Sequence, residues 1–394
     1  RGRAVQVIDA TGLWLWPGLV DIHVHFREPG FTRKETIASG CAAALRGGYT
    51  SVVCEPNTTP PLDSAELAME LHDRAEAAGP VRVYFKAAMT RGRAGKEAGD
   101  FESLAACPNV VALSDDGDPV TDAALMEEIC RGAAAAGLPL SPHCEDSRRA
   151  LDDYGAGAQP GFEIGPPYHN EANYIARDLA LAARTGCRVH FSHVSLARSV
   201  ELIEQYRASG RSGADVTFEV APHHLLLCES DYEPGAVPTV CPPLRTAEDR
   251  DALRECLARA APDAVASDHA PHTREDMERG ATGLIGLETT LGLMLTHFVH
   301  TGALSPVEAA GLLSTRPARV LRLLAGSLAV GQLADMVFID PDEEWTVRAD
   351  EFASLSRNTP YGGWPLRGMA VAVAVGGNVV FRRPSFDDRM GRGT

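Results

Sequence analysis

The densest run of chemistry-bearing side chains is Asp21-Ile22-His23-Val24-His25-Phe26-Arg27. On a strand, side chains two apart share a face, so His23 and His25 point together with Asp21 on the same side. Two neutral imidazoles at that spacing can hold one divalent metal. Alone the pair decides little: with 13 His in 394 residues, roughly four in ten shuffled chains would contain some His-x-His. Its weight comes from its company. Ser114-Asp115-Asp116-Gly117, Pro142-His143-Cys144-Glu145, His190-Phe191-Ser192-His193 and Ser267-Asp268-His269 each put a His or an Asp at the end of an apolar run of strand length. One zinc needs fewer ligands than this, whereas two metals sharing a carboxylate would use them.

The other candidates read as structural. His72, His297 and His300 fall in helical runs. His190 shares a face with Ser192 rather than with His193, which suits a core or supporting place better than ligation. His223-His224 favours a supporting role in the same way, and His269 could face either way. Cys144 beside His143 invites a nucleophile reading, but no base of suitable spacing accompanies it.

Strand-type runs are expected over residues 19–24, 49–54, 81–87, 110–113, 138–141, 188–192, 217–220 and 264–267. Helical patterns lie between most of them, at 35–46, 122–135, 173–185, 196–208 and 247–260. One further helix opens at Asp63, with Glu66 completing a capping box, carries Leu67, Leu71 and Ala75 on its apolar stripe, and closes at Gly79-Pro80. Alternating β and α elements favour a parallel sheet covered by helices. Eight repeats favour a closed (β/α)₈ barrel of the TIM type, whose strands converge at their C-terminal ends.

Beyond residue 325 the character changes. Residues 334–339 and 345–347, and a Gly376-Gly377-Asn378 turn between 371–375 and 379–382, read as antiparallel structure, and 3–9 is expected to add a strand. The domain expectation is a barrel over 13–325 and a small accessory β domain built from 1–12 and 326–394.

Hydrophobic residues make up 45% and charged residues 23% of the chain, enough for a large core. With 37 basic and 53 acidic residues the formal charge is −16, a field that repels nucleic acid and anionic membrane surfaces. A small anionic substrate stays compatible, because a few local cations dominate a closed pocket. Nine cysteines without a Cys-x-x-Cys pair read as reduced thiols, and hence as a cytoplasmic protein. No apolar run nears the ~20 residues of a membrane helix, and no secretory signal is visible ahead of the strands.

DIHVHFREPG (21–30), CEPNTTPPLD (54–63), SDDG (114–117), HCED (143–146), HVS (193–195), APHHLLL (221–227), PPLR (242–245), SDHAPHT (267–273) and GLET (286–289) together resemble the class I dihydroorotases of the amidohydrolase superfamily. The tail segments Ala334-Asp335 and Arg357-Asn358-Thr359-Pro360 fit too, so the resemblance runs in order over residues 7–382. It implies a barrel with a two-zinc centre that interconverts N-carbamoyl-L-aspartate and L-dihydroorotate in pyrimidine biosynthesis. It implies His23 and His25 on one zinc, His143 and His193 on the other, and Asp116 as the bridge, with Asp115 the second choice. Asp268 would ligate the first metal and handle protons, and Arg27, Asn57 and His272 would contact substrate. Two departures stand out: Glu55 where the family often has Met, and Cys241 where it usually has an Asn that contacts substrate. About forty residues that usually precede this point are absent, so the accessory sheet is expected to be incomplete. As partners, the resemblance leaves open a homo-oligomer or an association with aspartate carbamoyltransferase.

Two other readings compete. Hydantoinases and allantoinases usually bridge their metals with a carboxylated lysine after the fourth strand, and residues 113–117 contain none. Non-catalytic scaffolds that serve the carbamoyltransferase lose metal ligands, and every ligand position is filled here.

Overall fold

A ring of parallel strands forms because the strand runs are rich in apolar residues and buried on both faces, as sheets covered by helices require. The computed structural model describes residues 8–145, 170–210, 215–231 and 240–390. After β1 (Trp14–Pro17), strands β2 (Leu19–Val24), β3 (Tyr49–Cys54), β4 (Arg82–Ala87) and β5 (Val110–Leu113) pair in that order. Strands β6 (Val189–Phe191), β7 (Val216–Val220) and β8 (Ala264–Val265) form a second parallel set. Parallel bridges join the sets: Leu140 pairs with both Leu113 and Val189, and His269 pairs with Val24. The backbone N–H of His25 donates to His269 O at 2.8 Å across the second seam. The result is a (β/α)₈ barrel.

Two strand expectations shrink. Residues 138–141 pair through little more than Leu140 and Ser141, because Pro139 and Pro142 flank them and carry no N–H for the ladder. Residues 264–267 pair as a strand only at Ala264 and Val265, before the chain turns into Asp268 with φ at +48°.

The helices that cover the ring cap as their sequences allow. Helix α1 (Ile37–Gly47) starts from a Thr36–Ser39 capping box and stops at Gly48, whose φ of 95° only glycine adopts freely. Helix α2 (Ala65–Ala78) is capped by Ser64, not by Asp63 as expected: Ser64 Oγ accepts from the backbone N–H of Leu67. Asp63 instead accepts from the N–H of Gly92 at 2.7 Å, holding the loop after β4. The nearer side chain takes the cap, and the freed carboxylate serves a tertiary contact.

The accessory sheet is antiparallel, in the order β1, β9 (Met336–Thr346), β10 (Pro365–Val375), β11 (Asn378–Arg382). The separate runs expected at 334–339 and 345–347 are parts of one long β9. Trp14–Pro17, which a boundary at residue 13 would place with the barrel, pairs with Met336–Ile339 instead. Only Trp16 of its four residues is buried, and Leu15 is exposed, which suits a sheet edge rather than a barrel wall. Gly376 and Gly377, both at positive φ, make the tight turn between β10 and β11. Residues 3–7, most of the strand expected over 3–9, lie outside the described residues. Arg82 on β4 reaches Asp335 at 2.9 Å and ties the two sheets together.

Phe26 follows the His-x-His strand and packs on Gly40 of α1, where a Cβ would overlap its ring. Gly40→Ala is therefore expected to cost about 1–3 kcal/mol of stability and to lower metal uptake by displacing His25. Thermal melts of the two proteins test this, and an unchanged melting temperature would refute it.

Candidate metal centre

Six side chains from five strand ends meet at the C-terminal mouth of the barrel. His23 is on β2 and His25 just beyond it, Asp116 follows β5, His143 follows the Leu140 bridge, His193 follows β6, and Asp268 follows β8. His193 and Asp268 hold positive φ values of 33° and 48°, a sparsely populated backbone region for residues other than glycine. All six are buried.

Their donor atoms face one another. His23 Nε2 lies 3.5 Å from Asp116 Oδ1 and 3.6 Å from Asp268 Oδ1, and His25 Nε2 lies 3.2 Å from Asp268 Oδ1. His143 Nδ1 is 3.2 Å from Asp116 Oδ1 and 3.0 Å from His193 Nε2. Ligand atoms about 2.0–2.1 Å from a tetrahedral metal are about 3.3 Å apart, so these separations are those of a shared cation's donors. Two overlapping sets could each hold an ion: His23, His25 and Asp268, and His23, Asp116 and His193. His23 Nε2 is buried with no hydrogen-bond partner among the described residues, the state of an imidazole nitrogen kept for a metal.

The buried surroundings hold these ligands in place. Glu219 on β7 is fully buried; its Oε1 accepts from His23 Nδ1 at 2.7 Å and its Oε2 from His190 Nε2 at 3.0 Å. That contact turns His23 Nε2 to the centre. His25 Nδ1 donates to Asn57 Oδ1 at 3.0 Å, and Asn57 Nδ2 donates to Asp116 Oδ2 at 3.1 Å. Burial works against the charged forms of Asp116, Asp268 and Glu219, but the facing imidazoles outweigh it and hold all three carboxyls below their usual range.

Asp115 turns away, accepting from the N–H groups of Met89 at 2.7 Å and Thr90 at 3.2 Å, so Asp116 is the acidic residue that faces the imidazoles. Asp21 shares strand parity with His23 but lies deeper, accepting from the N–H groups of His23 and Ser267, both at 3.1 Å. Burial pushes its carboxyl up to about 6. His269 faces Glu35 and the N–H of Gly286, away from the centre. His224 reaches Pro242 O at 3.1 Å, whereas His223 Nε2 stands 3.9 Å from Asp268 Oδ2 with its ring held neutral by burial, down to about 4.

A cavity of about 270 Å³ opens over the cluster and is lined by Arg27, Asn57, Arg93, Cys241 and His272. Arg27 makes no pair with Glu28, which binds Arg74 at 2.9 Å. It is buried, donates Nε–H to Pro271 O at 3.2 Å and Nη2–H to His272 Nε2 at 3.1 Å. Burial lowers its pKa to about 10 and leaves it cationic. Burial, with Arg27 and Lys34 alongside, holds His272 neutral at about 3. Cys241 Sγ lies 3.4 Å from His143 Nε2.

Three residues at the site went unread in the sequence. Glu219 and Lys86 each put a charge inside a strand that must be buried, and that conflict was their signal. Arg93, at a positive φ of 54°, binds Asp118 at 2.8 Å and Asp116 O from a loop with no local pattern.

Residues 14–380 match the amidohydrolase family. The chain belongs to that family. It is 42% identical over 390 residues to a dihydroorotase of Pelotomaculum thermopropionicum, covering 96% of this chain and 89% of that one. It is 40% identical over 387 residues to the dihydroorotase of Brevibacillus brevis (95% and 89% covered). A dihydroorotase of Anaeromyxobacter dehalogenans is 42% identical over 398 residues (98% and 90%). Among solved structures, an L-hydantoinase from Arthrobacter aurescens superposes with a TM-score of 0.83 at 28% identity, over 97% of this chain and 88% of that one. A dihydropyrimidinase from Brevibacillus agri gives 0.81 at 24% with the same coverage, a likeness of fold alone.

Because Glu219 sets the direction of His23, Glu219→Gln is expected to weaken metal binding by about 10- to 100-fold. Competition with a chromophoric chelator measures this, and an unaltered dissociation constant would rule out the orienting role.

Proposed function

We propose that the chain is a dihydroorotase, closing N-carbamoyl-L-aspartate to L-dihydroorotate and reopening it, in the synthesis of pyrimidines. The observation that carries this reading is the buried guanidinium of Arg27 beside Asn57, facing the His and Asp cluster across one small cavity. A substrate with a carboxylate on one side and an amide carbonyl on the other fits between them.

In this reading His23, His25 and Asp268 would hold one zinc ion and His143 and His193 a second, with Asp116 available as a ligand to both. When bound, zinc supplies Lewis acidity and lowers the pKa of a water. The protein's own groups do the rest. Arg27, Asn57 and His272 fix the substrate carboxylate, and Arg27 offers it a two-pronged donor. In the opening direction a water oxygen adds to the ring amide carbonyl and the C–N bond breaks. Asp268, held ionised, takes the water's proton and hands it to the departing nitrogen. Closure runs the same steps backwards and releases water. Cys241 leaves the substrate without an amide donor at its position, a loss of about 1 kcal/mol of binding. No disulfide joins any two cysteines among the described residues, which supports a cytoplasmic place, and no helix among the described residues is long and apolar enough to cross a membrane.

The experiment is to load the purified protein with zinc and assay dihydroorotate, hydantoin and allantoin side by side. Dihydroorotate is expected to be the preferred substrate, with about two zinc ions per chain by elemental analysis. Preference for hydantoin would overturn the assignment in favour of the activity named for its structural neighbours, and zinc near zero would favour a non-catalytic scaffold. Asp268→Ala is expected to cut turnover by about a hundred-fold or more while most of the metal stays bound; unchanged turnover would refute its proton role.

A further inference from the structure

Beneath the six candidate ligands lies a pair of opposite charges that the reaction does not use. Glu55 follows β3 and Lys86 sits on β4, and both side chains are completely buried. Lys86 Nζ forms an ion pair with Glu55 Oε1 and donates to Ser141 Oγ at 2.8 Å, which in turn meets Ser192 Oγ at 2.9 Å. Glu55 Oε1 is also 3.6 Å from His23 Nε2, the same separation that Asp268 Oδ1 keeps from that atom. Glu55 Oε2 has no hydrogen-bond partner among the described residues. A third carboxylate thus stands at a ligand's distance from the nitrogen that faces the metals, yet belongs to neither donor set. Where Glu55 stands, the sequence resemblance expects an uncharged Met.

A buried carboxylate with no counter-charge would take any cation within reach. Catalytic zinc centres keep one position open for water or substrate, and a carboxylate so close to His23 Nε2 would fill it. We propose that Lys86 is a positioning residue that holds Glu55 off the metal bound by His23 and His25, keeping that coordination position open, while Glu55 cancels the cation Lys86 would otherwise place under the centre. This rests on the metal reading given above.

The two charges then act on the metals in opposite directions, which a merely structural ion pair would not do. Removing the cation with Lys86→Met frees Glu55 to join the centre. Removing the carboxylate with Glu55→Met leaves a buried ammonium facing the metals. The experiment measures zinc dissociation constants by chelator competition, together with the visible spectrum of the cobalt(II) form, for parent, K86M, E55M and E55M/K86M. K86M is expected to bind zinc about ten-fold or more tightly than the parent, with weaker cobalt d–d bands as the coordination number rises. E55M is expected to bind about ten-fold or more weakly, and the double variant to return to within a few-fold of the parent. Weaker binding by K86M, or a K86M protein that does not fold even in saturating zinc, would overturn the proposal while leaving the metal reading intact. A parent protein that takes up no zinc would overturn both. If E55M does not fold, K86M and the double variant still decide it, through the sign of the one and the recovery of the other.

Discussion

Asp116 and Asp268 are buried carboxylates, and their charge has to be answered from inside the protein. Everything at the mouth of the barrel is arranged around that requirement. Imidazoles from three separate strand ends lie 3.0–3.6 Å from the acids or from each other. A third buried acid, Glu219, turns one of those imidazoles so that its free nitrogen faces inward. Such a cluster offers the donor set that a divalent cation takes, and the same charges that answer the buried acids shape the site.

The charge is layered along the barrel axis. Below the cluster, Lys86 and Glu55 cancel each other in the closed interior. At its level, acids and imidazoles make a site for cations. Above it, Arg27 and Arg93 line the cavity of a chain that is strongly acidic overall. A small anion is drawn to that mouth by the nearest groups rather than by the net field, because a closed, low-dielectric pocket weights short distances heavily.

The fold does not choose among ring-opening chemistries. Hydantoinase and dihydropyrimidinase structures share this barrel and sheet at TM-scores above 0.8, and the difference lies in a handful of side chains at the strand ends. In the reading proposed above, the acid after β5 and the guanidinium after β2 carry the distinction.

Period-two and helical patterning made the ring, its eight strand positions and its covering helices legible, since apolar runs of strand length can be buried only one way. The His-x-His pair and the His or Asp at the other strand ends could be read for the same reason: a barrel sends all its C-terminal ends to one face. Orientation was not legible. Asp115 and Asp116 are neighbours with the same chemistry, and the choice between them came from the N–H groups of Met89 and Thr90, which claim the first. Asp63 lost its cap to Ser64 because Gly92 arrives from another loop. Glu219 and Lys86 were visible as charges in the wrong kind of segment, but their partners lie 196 and 31 residues away along the chain. Residue type and order thus specify which groups can ligate, and on which face of the barrel they emerge. Which nitrogen or oxygen turns inward depends on contacts between distant strands, which exist only once the ring is closed.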